Sequence, residues 1–168
     1  MRLETSGVQE IAAPVAVVWS HLIDPSFVAA SAAGVESVEP IDAAQYRVVA
    51  LLGVGSISLR FTLHVRLHDV DPLAGLRMSV QGATAGSALR VEAGAGLTAV
   101  DAGATRLSWN VASDVHGKIV GIGARMLQGT MRRKTEAFWT QFAANCTAAP
   151  SLPRAAQEGA GPAAANPA

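Results

Sequence analysis

The spacing of apolar residues changes twice along this chain, and these changes predict the order of its elements. The first ten residues indicate a strand with apolar positions at Leu3 and within residues 8–11, and Pro14 then occupies a position where a helix can begin. Asp24-Pro25 is a suitable cap and first-turn pair for a second short helix over residues 26–31. The helix that begins after Pro14 is indicated by apolar residues at Val15, Val18, Trp19 and Leu22.

From residue 35 onward the apolar period is two, which is typical of strands with one buried face. A turn at Asp42 separates two such patterns and predicts a hairpin. The clearest strand follows, because six apolar residues from Ile57 to Leu67 alternate with five polar ones. Asp71-Pro72 ends this strand, and three further alternating patterns continue to residue 111. The chain therefore predicts five or six antiparallel strands after the two short helices.

A long helical pattern from Gly117 to Asn145 carries more apolar surface than one packing face requires. An antiparallel sheet with one apolar face must be covered, and this helix is the only predicted element long enough to do so. We therefore predict an α+β helix-grip fold, in which a curved antiparallel sheet wraps around the long C-terminal helix. At about 100° per residue, an arc of about 60° contains Val120, Ala124, Leu127, Met131, Phe138 and Phe142. A second apolar flank at Ile119, Ile122 and Met126 indicates a cavity beside the first half of the helix.

The length of 168 residues fits one domain with a substantial core. From Thr147 the composition shifts to Ala, Pro and Gly without periodicity, so we expect a domain over residues 1–146 and a disordered tail over 147–168. The 13 basic and 13 acidic residues balance, which gives no reason to expect nucleic acid as a partner. Before residue 117, however, seven arginines stand against eleven acids, and afterwards six basic residues stand against two. An acidic part therefore precedes a basic helix.

The single cysteine, Cys146, excludes an intramolecular disulfide and thiolate metal sites. The first residues lack the apolar segment of a secretory signal, and the longest uncharged apolar run, residues 11–23, is shorter than the roughly 18 to 20 residues that cross a bilayer. We therefore expect a cytoplasmic protein that contacts membranes only peripherally, at the inner face of the plasma membrane.

Few residues are candidates for catalysis or metal binding. His64 and His68 lie on the polar face of one strand, about 13 Å apart at the usual rise per residue, so we predict no metal site there. Asp114 and His116 allow two interpretations, an acid/base pair beside the cavity or a cap for the long helix, of which we favour the cap.

Basic residues form a stripe on the long helix. Lys118, Arg125 and Arg132 project within about 40° of one another, and Trp139 lies near the edge of the stripe. Such a face is either an ordinary solvated surface or a membrane or partner face that holds anionic lipid.

Two separated motifs carry a family resemblance. The first comprises Pro14, Val18-Trp19, Asp24-Pro25, Gly34 and Glu36, and the second comprises Gly117-Lys118, Gly123, Arg125 and Gly129-Thr130. Over residues 1–145 the chain resembles the carbon monoxide dehydrogenase G-subunit family within the START-like (SRPBCC) helix-grip superfamily. It departs where this family commonly has a Cys-Ile-Pro-Gly-like turn, since residues 31–34 read Ser-Ala-Ala-Gly.

The resemblance implies a non-enzymatic accessory protein of a molybdenum-containing CO dehydrogenase or a related oxidoreductase, which assists membrane association or the supply of an electron acceptor. It also implies a hydrophobic lipid-like or quinone-like ligand in an internal cavity, with no other cofactor. From the residues we predict that the ligand contacts Phe27, Leu63, Met78, Val80, Trp109, Ile119, Ile122 and Met126. The alternatives are a peripheral membrane adaptor without cargo and a START-like cyclase or dehydratase.

Overall fold

The computed structural model describes residues 1–148. The predicted order of elements is confirmed, with six strands after the two short helices. In chain order the elements are β1 Arg2–Ile11, α1 Val15–Leu22, α2 Pro25–Ser31, β2 Val35–Pro40, β3 Gln45–Val54, β4 Ile57–Asp71, β5 Gly75–Thr84, β6 Ser87–Asp101, β7 Ala104–Gly117, a 3-10 helix Lys118–Ile122 and α3 Ala124–Ala148.

The strands form one antiparallel sheet in the order β1-β7-β6-β5-β4-β3-β2. Strands β2 to β7 follow one another as a meander, whereas β1 pairs with β7 at the far edge. Helices α1 and α2 therefore carry the chain from one edge strand to the other. Because each pair of neighbours is in register over most of its length, alternate residues of all the strands share one concave face.

Helix α3 closes this face asymmetrically, because it packs mainly along β1 at one edge of the sheet. The Gln128 side chain fixes this position by donating a hydrogen bond to the Glu4 carbonyl oxygen. Two buried clusters lie beneath α3. One joins its C-terminal half, through Phe142, to α1 and to strands β1 and β5 to β7. The other joins its first turns, through Leu127, to strands β1, β3, β4 and β7. The predicted α+β helix-grip fold is confirmed.

The long helix differs from its prediction at its start. Gly123 has a φ of 104° and a ψ of 140°, which an α-helix cannot contain, so residues 118–122 form a separate 3-10 turn and α3 begins at Ala124. Positions around the helix that are predicted at about 100° per residue therefore do not apply to the residues before Gly123.

The end of α3 also differs slightly, because the helix continues two residues beyond the predicted domain boundary at 146. The remainder of the predicted tail, residues 149–168, lies outside the described residues.

Candidate functional site

An apolar cavity of about 220 Å³ lies between α2, strands β2 to β7 and the C-terminal half of α3. We call it the α2 cavity. Helix α2 and the segment before it contribute Leu22, Ile23, Pro25, Val28, Ala29 and Ala32, and α3 contributes Phe138 and Trp139. The sheet contributes Val35, Val38, Tyr46, Val48, Val65, Leu67, Leu76, Met78, Ala93, Gly94, Asn110 and Val111.

The cavity exists because α3 does not cover the whole concave face. The first turns of α3 cover one end of β3 and β4, but at the other end the aliphatic residues of β2 to β4 on this face lie under the short α2. Val38, Val48 and Val65 consequently stay half-buried. Small side chains at Ala29 and Ala93 on opposite walls keep the space between them open. Half-buried aliphatic walls of this kind are typical of sites for apolar ligands.

Three lining residues, Tyr46, Asn110 and Trp139, have polar side chains, and Asn110 is exposed. The Tyr46 hydroxyl donates a hydrogen bond of 3.3 Å to the Ala43 carbonyl oxygen, and burial raises the pKa of Tyr46. Trp139 is only 8% exposed, and its indole nitrogen is buried without a hydrogen-bond partner among residues 1–148. Tyr46 is the one described lining residue whose side chain titrates. The cavity is therefore equipped to hold an apolar molecule and poorly equipped for acid/base chemistry.

The structure brings only Met78, of the eight predicted ligand contacts, onto the wall of this cavity. Val80, Trp109 and Ile119 are buried in the core. Leu63 and Ile122 pack against the cluster beneath the first turns of α3. Phe27 stacks on His21 with 3.9 Å between ring centroids, and Met126 is 49% exposed near the β3–β4 turn. The α2 cavity thus lies near the C-terminal half of α3, whereas the sequence predicts a cavity beside the first half of the long helix.

The basic stripe is also rearranged. Arg125 and Arg132 share an exposed face of α3, but Lys118 precedes the break at Gly123 and lies against Gly86 in the β5–β6 turn. Trp139 continues the line of Arg125 and Arg132 along α3 but is buried, because α1 and α2 cover this side of the C-terminal half of the helix. Its ring packs edge-on against Phe142, with 5.5 Å between centroids.

Asp114 and His116 lie on the convex face, not beside the cavity. Asp114 forms an exposed ion pair of 3.3 Å with Arg2. The expectation that one of them caps the following helix is wrong, because the backbone nitrogen of Ile119 instead donates to Ser87 Oγ at 2.9 Å. This bond crosses from the start of β6, so no local sequence signal indicates it.

The remaining titratable groups do not form a metal centre within residues 1–148. His68 contacts Asp69 at 3.0 Å and Ser79 Oγ at 2.8 Å on the convex face, and Ser79 donates to Glu92. Cys146 is fully buried, and burial raises the pKa of its thiol to about 12, so it is not a nucleophile at neutral pH. Across the same residues, no helix combines the length and apolar character needed to span a bilayer.

Sequence reasoning missed the walls formed by α2 and by strands β2 and β3. Val38 and Tyr46 stand between polar residues and Val48 follows a polar one, so their shared face could be read from the sequence. The pattern does not show where α3 lies across the sheet, and this position determines which strands remain uncovered. The missed residues are therefore those whose exposure depends on packing between distant elements.

Comparisons with known proteins agree with this architecture. The family model for the carbon monoxide dehydrogenase G subunit (CoxG) matches residues 7–146. A conserved protein from Geobacillus kaustophilus is 25% identical with a TM-score of 0.80, over 86% of this chain and 95% of that chain. No protein of curated function matches the chain.

Two more distant structures show the fold alone. A START superfamily protein from Mycobacterium smegmatis has a TM-score of 0.63 at 11% identity, over 84% of this chain and 94% of that chain. The Zhui aromatase/cyclase from Streptomyces sp. R1128 has a TM-score of 0.67 at 17% identity, over 88% of this chain and 94% of that chain. The START-like classification of the fold is confirmed.

Proposed function

This chain belongs to the carbon monoxide dehydrogenase G-subunit (CoxG) family, and on that premise we propose that it is a non-enzymatic accessory protein that holds an apolar, lipid-like or quinone-like molecule in the α2 cavity. The enzyme it serves is a molybdenum-containing CO dehydrogenase or a related oxidoreductase. Its contribution is to supply an electron acceptor or to assist association with the membrane. The apolar walls of the α2 cavity are the observation on which the proposal rests.

The walls supply affinity without demanding one particular ligand. Burial of apolar surface contributes roughly 25 cal/mol per Å², so a ligand that buries about 250 Å² gains on the order of 6 kcal/mol before the entropy of binding is subtracted. Aliphatic walls give this gain to any molecule of suitable width. Such a cavity therefore fits a class of elongated apolar molecules, such as prenyl quinones, better than a single polar substrate.

The arrangement of titratable groups supports binding over turnover. Cyclases and dehydratases need polar groups that move protons inside the cavity. Here Asp114 and His116 lie on the opposite face of the sheet, and Tyr46 directs its hydroxyl to a backbone carbonyl. The likeness to an aromatase/cyclase concerns the fold, and function depends on the site.

Native mass spectrometry of freshly purified full-length protein, followed by organic extraction, tests this proposal. We expect a bound mass that the extract identifies as a lipid or quinone, and we expect the emptied protein to bind added decylubiquinone. If the fresh protein carries no such molecule and the emptied protein binds no quinone, the proposal is wrong.

The exposed cations of α3 support a second candidate function, a peripheral membrane adaptor. Arg125, Arg132, Arg133 and Lys134 are exposed, and none forms an ion pair within residues 1–148. Basic residues near an anionic bilayer contribute about 1 kcal/mol each, so four are enough for reversible contact. This function is compatible with cargo binding, since the face is separate from the cavity walls.

Charge reversal on α3 tests the adaptor function. We expect Arg125→Glu combined with Arg132→Glu to reduce co-sedimentation with phosphatidylglycerol vesicles at least tenfold, because two attractive charges become repulsive. Cargo content should not change. The matched control reverses Arg77 and Arg90, two exposed arginines of the sheet that have no ion pair in the described part of the chain. Equal sedimentation of both double variants would contradict a membrane role for α3.

A further inference from the structure

The exposed edge of the α2 cavity carries two carboxylates, Asp24 and Asp42. Asp24 stands between Ile23 and Pro25, which both line the cavity, and Ile23 is 42% exposed. Asp42 begins the turn that leads into Tyr46, the lining residue with the hydroxyl group. The two acids thus approach one edge of the cavity from different elements.

Both carboxylates are held in place by backbone contacts. Asp24 caps α2, where its Oδ1 accepts a hydrogen bond of 3.1 Å from the Ser26 nitrogen. Asp42 accepts a bond of 2.9 Å from the Ala44 nitrogen and one of 2.7 Å from the Gln45 side chain. Their negative charges are therefore fixed features of this edge, and not the ends of freely rotating side chains.

Tyr46 is the lining residue on which both charges act. Burial makes the largest contribution to raising the pKa of Tyr46, and the charges of Asp42 and then Asp24 raise it further. The hydroxyl therefore stays protonated at neutral pH and remains a hydrogen-bond donor. The backbone hydrogen bond from Ala44 lowers the pKa of Asp42 most, and the positive charge of Arg66 lowers it further. Val65, which precedes Arg66 in β4, lines the cavity, so Arg66 points to the convex face.

The interior walls and the edge differ in what they accept. Aliphatic and aromatic side chains form the interior, where an unpaired polar head group would lose its hydration without compensation. A molecule with an apolar body and a polar head consequently leaves its head at the edge beside Tyr46. There the head meets the two fixed negative charges.

We propose that Asp24 and Asp42 select the cargo by the charge of its head group, so that the α2 cavity accepts neutral and cationic amphiphiles and rejects anionic ones such as fatty acids. This inference rests on the proposed function, because it assigns the head-group class of the molecule held in the cavity. Repulsion by two fixed charges at a partly solvated edge corresponds to about a tenfold weaker binding of an anion.

Three ligands with the same ten-carbon chain test the proposal: decanol, decylammonium and decanoate. Each is titrated below its micellar concentration against protein loaded with Nile red, a neutral fluorescent probe. In low salt at pH 7.5 we expect decanol and decylammonium to displace the probe at concentrations about tenfold lower than decanoate. In 0.5 M salt the difference should shrink to about threefold or less, because the charges are screened.

Conservative variants test whether the two carboxylates cause the weaker binding of decanoate. Asn keeps both the helix cap and the turn, so the protein with Asp24→Asn and Asp42→Asn should fold normally. Its preference against decanoate should fall to about threefold or less. The matched control is Asp101→Asn, which alters an aspartate that bonds the Gly103 nitrogen at 2.8 Å in the β6–β7 turn, away from the cavity lining. This control should keep the full tenfold preference.

The outcomes distinguish two failures. If decanoate binds as tightly as decanol, or if the preference persists in the double Asn variant, head-group selection by these carboxylates is wrong and cargo binding stands. If none of the three ligands displaces Nile red and no lipid is extracted, the proposed function itself fails.

Discussion

Replacing Gly34 by alanine is expected to destabilise the fold by at least about 3 kcal/mol. Gly34 has a φ of 87°, where L residues are strained, and a Cβ there would overlap the Leu51 carbonyl oxygen. The same residues are joined by a hydrogen bond of 2.7 Å from the Leu51 nitrogen to the Gly34 oxygen. The alanine methyl group cannot rotate away, so β2 must separate from β3 at this point.

Urea denaturation followed by circular dichroism measures the effect as a shift of the midpoint. Gly53→Ala is the matched control in β3, because it has no heavy atom within 4 Å of the added Cβ and no positive φ. We expect its stability to stay within about 0.5 kcal/mol of the native protein. If both variants unfold at the same urea concentration, the close approach at Gly34 is not a constraint on the fold.

Filling the α2 cavity from the sheet is expected to remove the cargo while leaving the fold intact. Ala93 lies between Met78 and Val111 in the sheet register, and all three line the cavity. In Ala93→Phe the phenyl ring would project into the 220 Å³ that the cargo needs. Stability should stay within about 1 kcal/mol of the native value or rise, because the ring fills empty space. Extracted cargo and affinity for decylubiquinone should fall at least tenfold.

A control on the same strand separates occupancy of the cavity from a general effect of phenylalanine. Ala88 is an exposed residue of β6 on the convex face. Ala88→Phe should therefore retain the native cargo content and affinity. Retention of cargo by Ala93→Phe as well would place the ligand outside the α2 cavity.

The order of elements could be predicted because each change of apolar period has a direct physical cause. Alternation from Ile57 to Leu67 reflects one buried and one solvated face, and β4 has this pattern in the structure from Leu59 onward. The Asp24 cap was equally predictable, since it depends on residues two apart. Such local rules gave the architecture and the need for a covering helix.

The position of the cavity depends on packing between elements that are distant in the sequence, which local sequence patterns do not describe. The break at Gly123 is a property of one backbone conformation, and helical spacing continues through it undisturbed. Trp139 is buried because α1 and α2 cover the side of α3 on which it lies, although the exposed residues Arg125 and Arg132 lie on the same side earlier in the helix. The cavity follows from where α3 lies across the sheet, so its walls could not be identified before the packing was known.

The separation of β1 from the meander has a consequence for the order of folding. Strands β2 to β7 pair with sequence neighbours through short turns, whereas β1 must close a loop of about a hundred residues to reach β7, where the Met1 amino group bonds the Val115 carbonyl oxygen at 2.9 Å. Because long loops close late, we expect the meander to form before β1 pairs with β7. Helix α3 packs mainly on β1 and supplies one wall of the α2 cavity, so we expect the cavity to close last, around apolar molecules already present as the chain completes its sheet.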